Sequence, residues 1–443
     1  MTGVNILIEA NDQNKSRLLI DCGLFQGEKI GDEKNHAPFP YDPASIDALV
    51  ASHAHIDHTG RIPKLVKEGF KGKIFSTPPT KEIARVLLID SIGILSKESK
   101  AAGTPPIYTE EDVERSMNLW QGISYKEEFS VGDLKISFKD AGHVLGSAMT
   151  EIKFGNKKFV FTGDLGNSPA PFLPDTEIIK DADYLVMESV YGDRDHEHRA
   201  DRKILLEDVI EETMNKKGTL LIPAFSFERT QELLFEIKEM VSHSRIPLVP
   251  VFLDSPLAIA VTEIYRKYLS YYKESAKKSS VVGDDLFSFP QLRFTRATEA
   301  SRAIHNVKQS KIIIAGSGMS NGGRIVHHER EFLPDPKNTL LILGYQSPGT
   351  LGRKLQDGAK RVKIFGEEVE VRARVVTIGG YSAHKDSTHL LEFVDGSSDT
   401  LKKVFVALGE PKSALFLTQR IRDYLGVDAV VPRIKETINL SMV

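Results

Sequence analysis

Ser52-His53-Ala54-His55-Ile56-Asp57-His58-Thr59-Gly60 is the stretch that orders the rest of the chain. It follows an apolar run at residues 46–50 that reads as a buried strand. It precedes residues 61–69, where Ile62, Leu65 and Val66 recur at helical spacing. His53, His55, Asp57 and His58 are therefore expected on a loop at the C-terminal end of a strand. Alternation sets the first two imidazoles on one side, and the turn brings the Asp–His pair round beside them. Imidazole nitrogen and carboxylate oxygen suit zinc or a similar divalent ion. Three of the chain's 13 histidines fall inside these six residues, a density that favours a metal site over a solvated or core cluster.

The composition is that of a globular enzyme. A chain of 443 residues predicts two domains, or three, at about 150 residues each. Hydrophobic residues make up 41% and charged residues 27%, which excludes a disordered or fibrous protein. A net charge of −3 gives no support to a globally basic nucleic-acid binder. A nuclease whose metal ions meet the phosphate does not need such a surface. The single cysteine, Cys22, excludes an intrachain disulfide and a cysteine-rich metal site, as in a reducing cytoplasm. No apolar run approaches the roughly 20 residues that span a bilayer, and the N-terminus has no signal-peptide core.

Outward from the quoted stretch, residues 1–10 and 17–21 alternate as strands around a polar turn at 11–15. Asp21 closes the second strand at Asp-Cys-Gly, where it either caps a turn or supports a ligand histidine from behind. Residues 81–101 and 109–120 read as amphipathic helices, with Trp120 in packing. Strands are expected at 134–139, 148–154 and 159–162. His143 lies between glycines at one strand junction, and Asp164 directly follows another strand. Glu188 ends a further strand at 184–187. Ligands offered from successive strand ends form one constellation.

From about residue 199 to 346 helices alternate with short apolar strands, the pattern of a parallel, doubly wound sheet. Residues 273–285 lack periodicity and are expected to be a solvated loop. Ala315-Gly-Ser-Gly-Met-Ser-Asn-Gly-Gly-Arg324 follows a strand and opens a helix, so Ser317 and Gly318 could meet a phosphate there. Its spacing matches neither a Walker loop nor a dinucleotide fingerprint. Arg229, Arg324 and Arg353 are candidate phosphate contacts, although solvated arginines are the commoner case. From about residue 371 alternating strands return, and His384 sits at a strand-to-helix junction.

In order and context, Asp21, His53-Ala-His-Ile-Asp-His58, His143 and Asp164 resemble the four motifs of the metallo-β-lactamase fold. Glu188 and Tyr381-Ser-Ala-His384 resemble the added motifs of its β-CASP branch of nucleic-acid-processing nucleases. Arg229-Thr-Gln-Glu, Asp254-Ser-Pro-Leu-Ala and Ser317-Gly-Met are similar to that branch too. The resemblance runs nearly the length of the chain and is nearest to the bacterial and archaeal RNA-processing members. It implies an α/β protein: an αββα sandwich, residues 1–198 and 371–443, interrupted by a parallel-sheet β-CASP domain, residues 199–370. RNA or DNA would enter between the two.

The resemblance also implies the site. His53, His55 and His143 would bind a first zinc ion, Asp57 and His58 a second, with Asp164 bridging them and Asp21 behind. Asp57 would also orient the attacking hydroxide that such a metal pair generates. His384 would protonate the leaving oxygen, its tautomer held by Glu188. Ser317, Gly318, Arg324 and Arg229 would touch nucleic acid. The expected activity is a zinc-dependent ribonuclease acting on single-stranded RNA, cytoplasmic, with a homodimer as a candidate state.

Two departures stand out. Where RNA-cleaving members read Val-His-Gly-Glu, this chain reads Ala407-Leu408-Gly-Glu. Leu408 therefore raises three alternatives: a weak second metal, a DNA substrate, or a catalytically weakened RNA-binding subunit. The chain also begins inside the first motif, at Thr2-Gly3, so a first strand is expected to be missing or its partner left unpaired.

Overall fold

The computed structural model describes residues 3–11, 13, 15–25, 30–196, 201–280 and 285–440, with the side chains of 30–32 and 279–280 excepted. Two compact units emerge: Met1–Ala170, Pro174–Asp195 and His384–Val443 form the first, Pro171–Leu173 and His196–Ala383 the second.

The first unit opens with β1 (Ile6–Glu9), β2 (Arg17–Ile20), β3 (Ala48–Val50), β4 (Lys73–Ser76) and β5 (Trp120–Gly122), hydrogen-bonded in that order. β1 and β2 are antiparallel and the rest parallel, so β3 is apolar and buried throughout, as a strand covered on both faces must be. Between β4 and β5 the chain runs first through helix Pro78–Ala102. Thr77 caps its start, proline fills its first turn, and Gly103 ends it in the left-handed region (φ 69°). Trp120 begins β5 and does not end the preceding helix, which stops at Leu119; its Nε1 donates to Ser76 Oγ at 2.8 Å.

β6 (Glu128–Val131), β7 (Leu134–Asp140), β8 (Ala148–Phe154), β9 (Lys157–Phe161) and β10 (Tyr184–Met187) continue a second sheet. Along β7, Leu134, Ile136 and Phe138 alternate inward. They meet Leu18, Ile20 and Val50 of the first sheet in one core, so the two sheets pack face to face.

In the second unit come β11 (Thr219–Pro223), β12 (Val251–Leu253), β13 (Leu292–Phe294), β14 (Lys311–Ala315) and β15 (Thr339–Leu343). A hairpin follows, β16 (Arg361–Ile364) with β17 (Glu367–Glu370), and then β18 (Arg374–Ile378). The sheet order is β13-β12-β14-β11-β15-β18, all parallel, and β11, β14 and β15 are buried along their whole length. This is the doubly wound pattern expected. β19 (Lys403–Val406) and β20 (Ala429–Val430) return to the second sheet of the first unit beside β10. Their outer face packs on helices Ser387–Asp395 and Pro411–Arg420 through Leu390, Val394 and Leu417. With helix Glu110–Leu119 against β4 on the other side, the first unit has the layers of an αββα sandwich.

Three expectations change. Residues 273–285 are not simply a loop, because Glu274–Ser280 is helical and buries Ala276; residues 281–284 lie outside the described ones. The return to the first unit comes at His384 and not at 371, because β18 pairs with β15. The boundary expected at 198/199 lies outside the described residues, as does Thr2; the units divide at 195/196.

Candidate metal centre

β3 ends at Val50, and the chain then runs Ala51-Ser52-His53 into the site. Asp57 and His58 are not on open loop but in a single helical turn, Ile56–Thr59. That turn is stitched to the end of β2: Cys22 N donates to His58 O (2.7 Å), Leu24 N to Ile56 O (2.9 Å) and Arg61 N to Cys22 O (2.8 Å). Gly23 is obligatory there, since a Cβ would stand 1.5 Å from Asp57 O.

His53 Nε2, His55 Nδ1, His143 Nε2 and Asp164 Oδ2 converge. Their separations are 2.9 Å (His53–His55), 3.4 Å (His143–His55), 3.5 Å (His53–Asp164) and 3.6 Å (His143–Asp164). Ligand atoms at zinc distances in a tetrahedron stand about 3.3–3.4 Å apart. The four donors therefore fit such an ion. Burial holds His53 well below the usual histidine range and His55 down to about 4, so both imidazoles are neutral and can offer a lone pair.

The other oxygen of Asp164, Oδ1, lies 3.4 Å from His58 Nε2. His58 Nδ1 meets Asp21 Oδ2 at 2.7 Å. Burial alone would depress His58, but Asp164 and Asp21 outweigh it and hold His58 well above its ordinary range. Asp57 is buried, and its carboxylate field is felt at both His55 and His384.

His384 is brought in by its neighbour's backbone: Lys385 N donates to Leu165 O at 2.9 Å. Its Nδ1 lies 3.2 Å from Glu188 Oε1 and 4.0 Å from Asp164 Oδ2. Glu188 Oε1 also accepts from Leu165 N at 2.5 Å. Burial opposes protonation of His384, yet Glu188 and Asp164 prevail and raise it to about 9. The structure thus brings together Asp21, His53, His55, Asp57, His58, His143, Asp164, Glu188 and His384, drawn from strand ends more than 300 residues apart in sequence.

Comparison with known proteins agrees. Residues 3–209 match the metallo-beta-lactamase superfamily, 230–355 the Beta-Casp domain, and 368–432 the Zn-dependent metallo-hydrolase RNA specificity domain. Ribonuclease TTHA0252 of Thermus thermophilus is 36% identical over 404 residues, 90% of this chain and 89% of that one. The chain belongs to the β-CASP branch of the metallo-β-lactamase superfamily. An RNase J-like protein of Methanocaldococcus jannaschii is 31% identical over 95% of this chain and 93% of its own. Transcription termination factor FttA of Methanosarcina mazei is 31% identical over 96% of this chain and 68% of its own. A protein of unknown function from Enterococcus faecalis shares the fold, with a TM-score of 0.55 at 12% identity over 98% of this chain and 96% of its own.

Within this β-CASP chain, Ser52 is the functional neighbour that sequence reasoning passed over. Its N and Oγ donate to Asp21 (2.7 and 2.8 Å), and its Oγ lies 3.1 Å from His53 Nδ1 and 3.3 Å from His58 Nδ1. One hydroxyl thus reaches two ligand-type imidazoles and the carboxylate behind them. Its position directly before His53 was the available signal.

The expected nucleic-acid contacts all lie in the second unit. Ser317 Oγ accepts from Asn321 N at 3.1 Å, within its own loop. Arg324 is bound to Asp254 Oδ1 (2.7 Å) and to the carbonyls of Thr295 (2.9 Å) and Arg296 (2.7 Å). Arg229 pairs with Glu232 at 2.7 Å and lies over the Tyr381 ring. Both arginines hold neighbouring elements, which accounts for their position without a phosphate. Asp254 also binds His328 (2.7 Å) and Ser301 (2.6 Å), a buried network the sequence did not announce. No helix among the described residues is long and apolar enough to cross a membrane.

Proposed function

We propose that the chain is a zinc-dependent ribonuclease that hydrolyses phosphodiester bonds of single-stranded RNA. The observation that carries this reading is the shared Asp164, one oxygen toward His53 and His143, the other toward His58, with His384 beside it. His53, His55, His143 and Asp164 would hold one ion, and Asp57, His58 and Asp164 a second. Bound there, zinc would bring the pKa of water towards 7 and neutralise a non-bridging phosphoryl oxygen.

The protein's own groups do the rest. Asp57 orients the attacking water. Glu188 fixes Nδ1 of His384, so that Nε2 is the nitrogen turned to substrate. His384, protonated at neutral pH, gives that proton to the departing oxygen. Asp21 and Ser52 keep His58 and His53 in register.

The relatives are named for RNA cleavage and transcription termination, which leaves the DNA alternative raised by Leu408 unfavoured. A cytoplasmic location and a homodimer remain part of the proposal; mass in solution tests the second.

End-labelled single-stranded RNA and DNA of one sequence, incubated with zinc-loaded protein, test the substrate. RNA should be cut and DNA spared. Asp57→Ala and His384→Ala should each lower cleavage by about 10²-fold or more while the chain stays folded by circular dichroism. Full turnover in a metal-loaded His384→Ala variant would remove that residue from the mechanism. RNA bound but never cut would point to the weakened-subunit reading.

A further inference from the structure

In the second unit every strand of the sheet is parallel, so the turns after β11, β12, β14 and β15 gather at one edge. β14 and β15 both flank β11. To touch the turn after β15, the turn after β14 must therefore cross the end of β11. It does so: Gln346 Nε2 donates to Gly318 O (3.1 Å), Gly352 N to Met319 O (3.1 Å) and Leu351 N to Asn321 Oδ1 (3.3 Å).

At the crossing point the turn after β11 presents Phe225. A Cβ on Gly318 would meet the ring at 2.7 Å (Cδ2) and 2.9 Å (Cε2), so the ring edge lies flush on the loop backbone only because residue 318 is glycine. Thr230 Oγ1 fixes the same residue by donating to Phe225 O at 2.8 Å. The ring is thus held, yet Phe225 is 46% exposed. On the far side of the crossing, Gly344 (φ 80°) turns the chain so that Tyr345 is 51% exposed while the next residue, Gln346, is buried. Among the described residues of this unit, the other large exposed aromatic is Phe365. It is 56% exposed and lies away from the crossing, in the β16–β17 hairpin, where the His327 ring (4.5 Å) and the Arg330 guanidinium (5.7 Å) are its neighbours.

Leaving aromatic faces in water forgoes burial, and an RNA strand offers the matching surface. Every base has a π-face, and stacking on a protein ring tolerates any sequence. We infer that Phe225 and Tyr345 are stacking platforms for bases of single-stranded RNA, one on each side of the Ser317–Asn321 crossing. This deepens the ribonuclease reading and rests on it for the identity of the ligand. It requires no metal and no charge from Arg229 or Arg324. A polynucleotide would be gripped here by its bases, without regard to their identity.

The experiment uses the full chain in the Asp57→Ala background and single-stranded RNA carrying 2-aminopurine at successive positions. Binding should quench the fluorophore at the positions that stack. Phe225→Ala and Tyr345→Ala should each abolish quenching at one position and weaken binding roughly tenfold. Phe225→Trp should restore both. An abasic nucleotide at the stacked position should weaken binding of the parent but cost the Phe225→Ala variant nothing further, a non-additivity that a merely structural ring would not give.

Unchanged affinity and quenching in the double variant would overturn the inference. So would a fall from dimer to monomer mass with RNA binding intact, which would make the rings a self-association surface. Quenching in the Asp57→Ala background with no cutting by the zinc-loaded parent, Asp57 in place, would leave the stacking role standing and sink the hydrolase reading alone. Cleavage by that parent without ring-dependent quenching in the Asp57→Ala background would do the reverse.

Discussion

At the scale of single residues, Leu408 is the position where this chain differs most from the pattern it otherwise follows. It sits just past β19, in the left-handed region at φ 54°, where a branched aliphatic side chain is strained. The backbone leaves it little choice. Ala407 N donates to Met187 O at 2.8 Å and Ser189 Oγ to Ala407 O at 2.7 Å, clamping this turn to the strand end that carries Glu188. Histidine is among the residues that tolerate such a conformation. Leu408→His should therefore fold without added strain and, if this turn supplies the missing ligand, raise the zinc retained per chain after dialysis against a weak chelator. Metal content equal to that of the parent would show that position 408 does not reach the second ion proposed for Asp57 and His58. Burial gives no warning of this site, because Leu408 is only half-buried.

At the scale of elements, helix Ile325–Phe332 and the loop before it carry a carboxyl group that fits its place only when neutral. Glu329 is fully buried, Ser320 Oγ donates to its Oε1 at 2.5 Å, and its Oε2 has no partner. Burial pushes it up to about 8 from an ordinary 4.5. Below pH 4.5 both folded and unfolded chains hold the proton, and the contribution to stability is whole. Between 4.5 and about 8 the unfolded chain releases the proton while the folded one keeps it, so stability falls as pH rises. The slope is about 1.4 kcal/mol per pH unit. Glu329→Gln should remove that slope, and urea unfolding at pH 5, 6.5 and 8 should show the difference between parent and variant shrinking or reversing towards pH 8. Parallel pH profiles would mean that Glu329 is ionised in the folded protein. Elements with long periodic patterns, such as Pro78–Ala102, and fully apolar strands, such as β14, were legible in the sequence. Helix Glu274–Ser280 was not, since a seven-residue helix in which Ala276 is the one buried side chain among those described leaves no period to detect. The turn Ile56–Thr59 is shorter still, held by backbone bonds to residues 22–24 that no local pattern records.

At the scale of the whole molecule, the same limit explains why the second crossing between units was misplaced. β18 and β19 are both short apolar strands, and nothing in an apolar strand states which sheet it joins. The site was far more legible, because ligand chemistry restricts residue types while sheet membership does not. Every member of the cluster belongs to the first unit, although the long segment of the second unit, His196–Ala383, separates Glu188 from His384 in sequence. The second unit has its own core, built on Leu221, Ile313, Leu340 and Ile342, and among the described residues none of it joins the His/Asp cluster. Metal bound to the folded first unit should stabilise that unit by mass action, about 4 kcal/mol at a thousandfold excess over the dissociation constant. Removing zinc with a chelator should then raise amide exchange in peptides covering residues 48–60, 140–167 and 184–190. Peptides covering β11, β14 and β15 should exchange as before. Equal loss of protection in both sets would show that the two units open together, and that the metal centre stabilises the whole chain rather than the half that holds it.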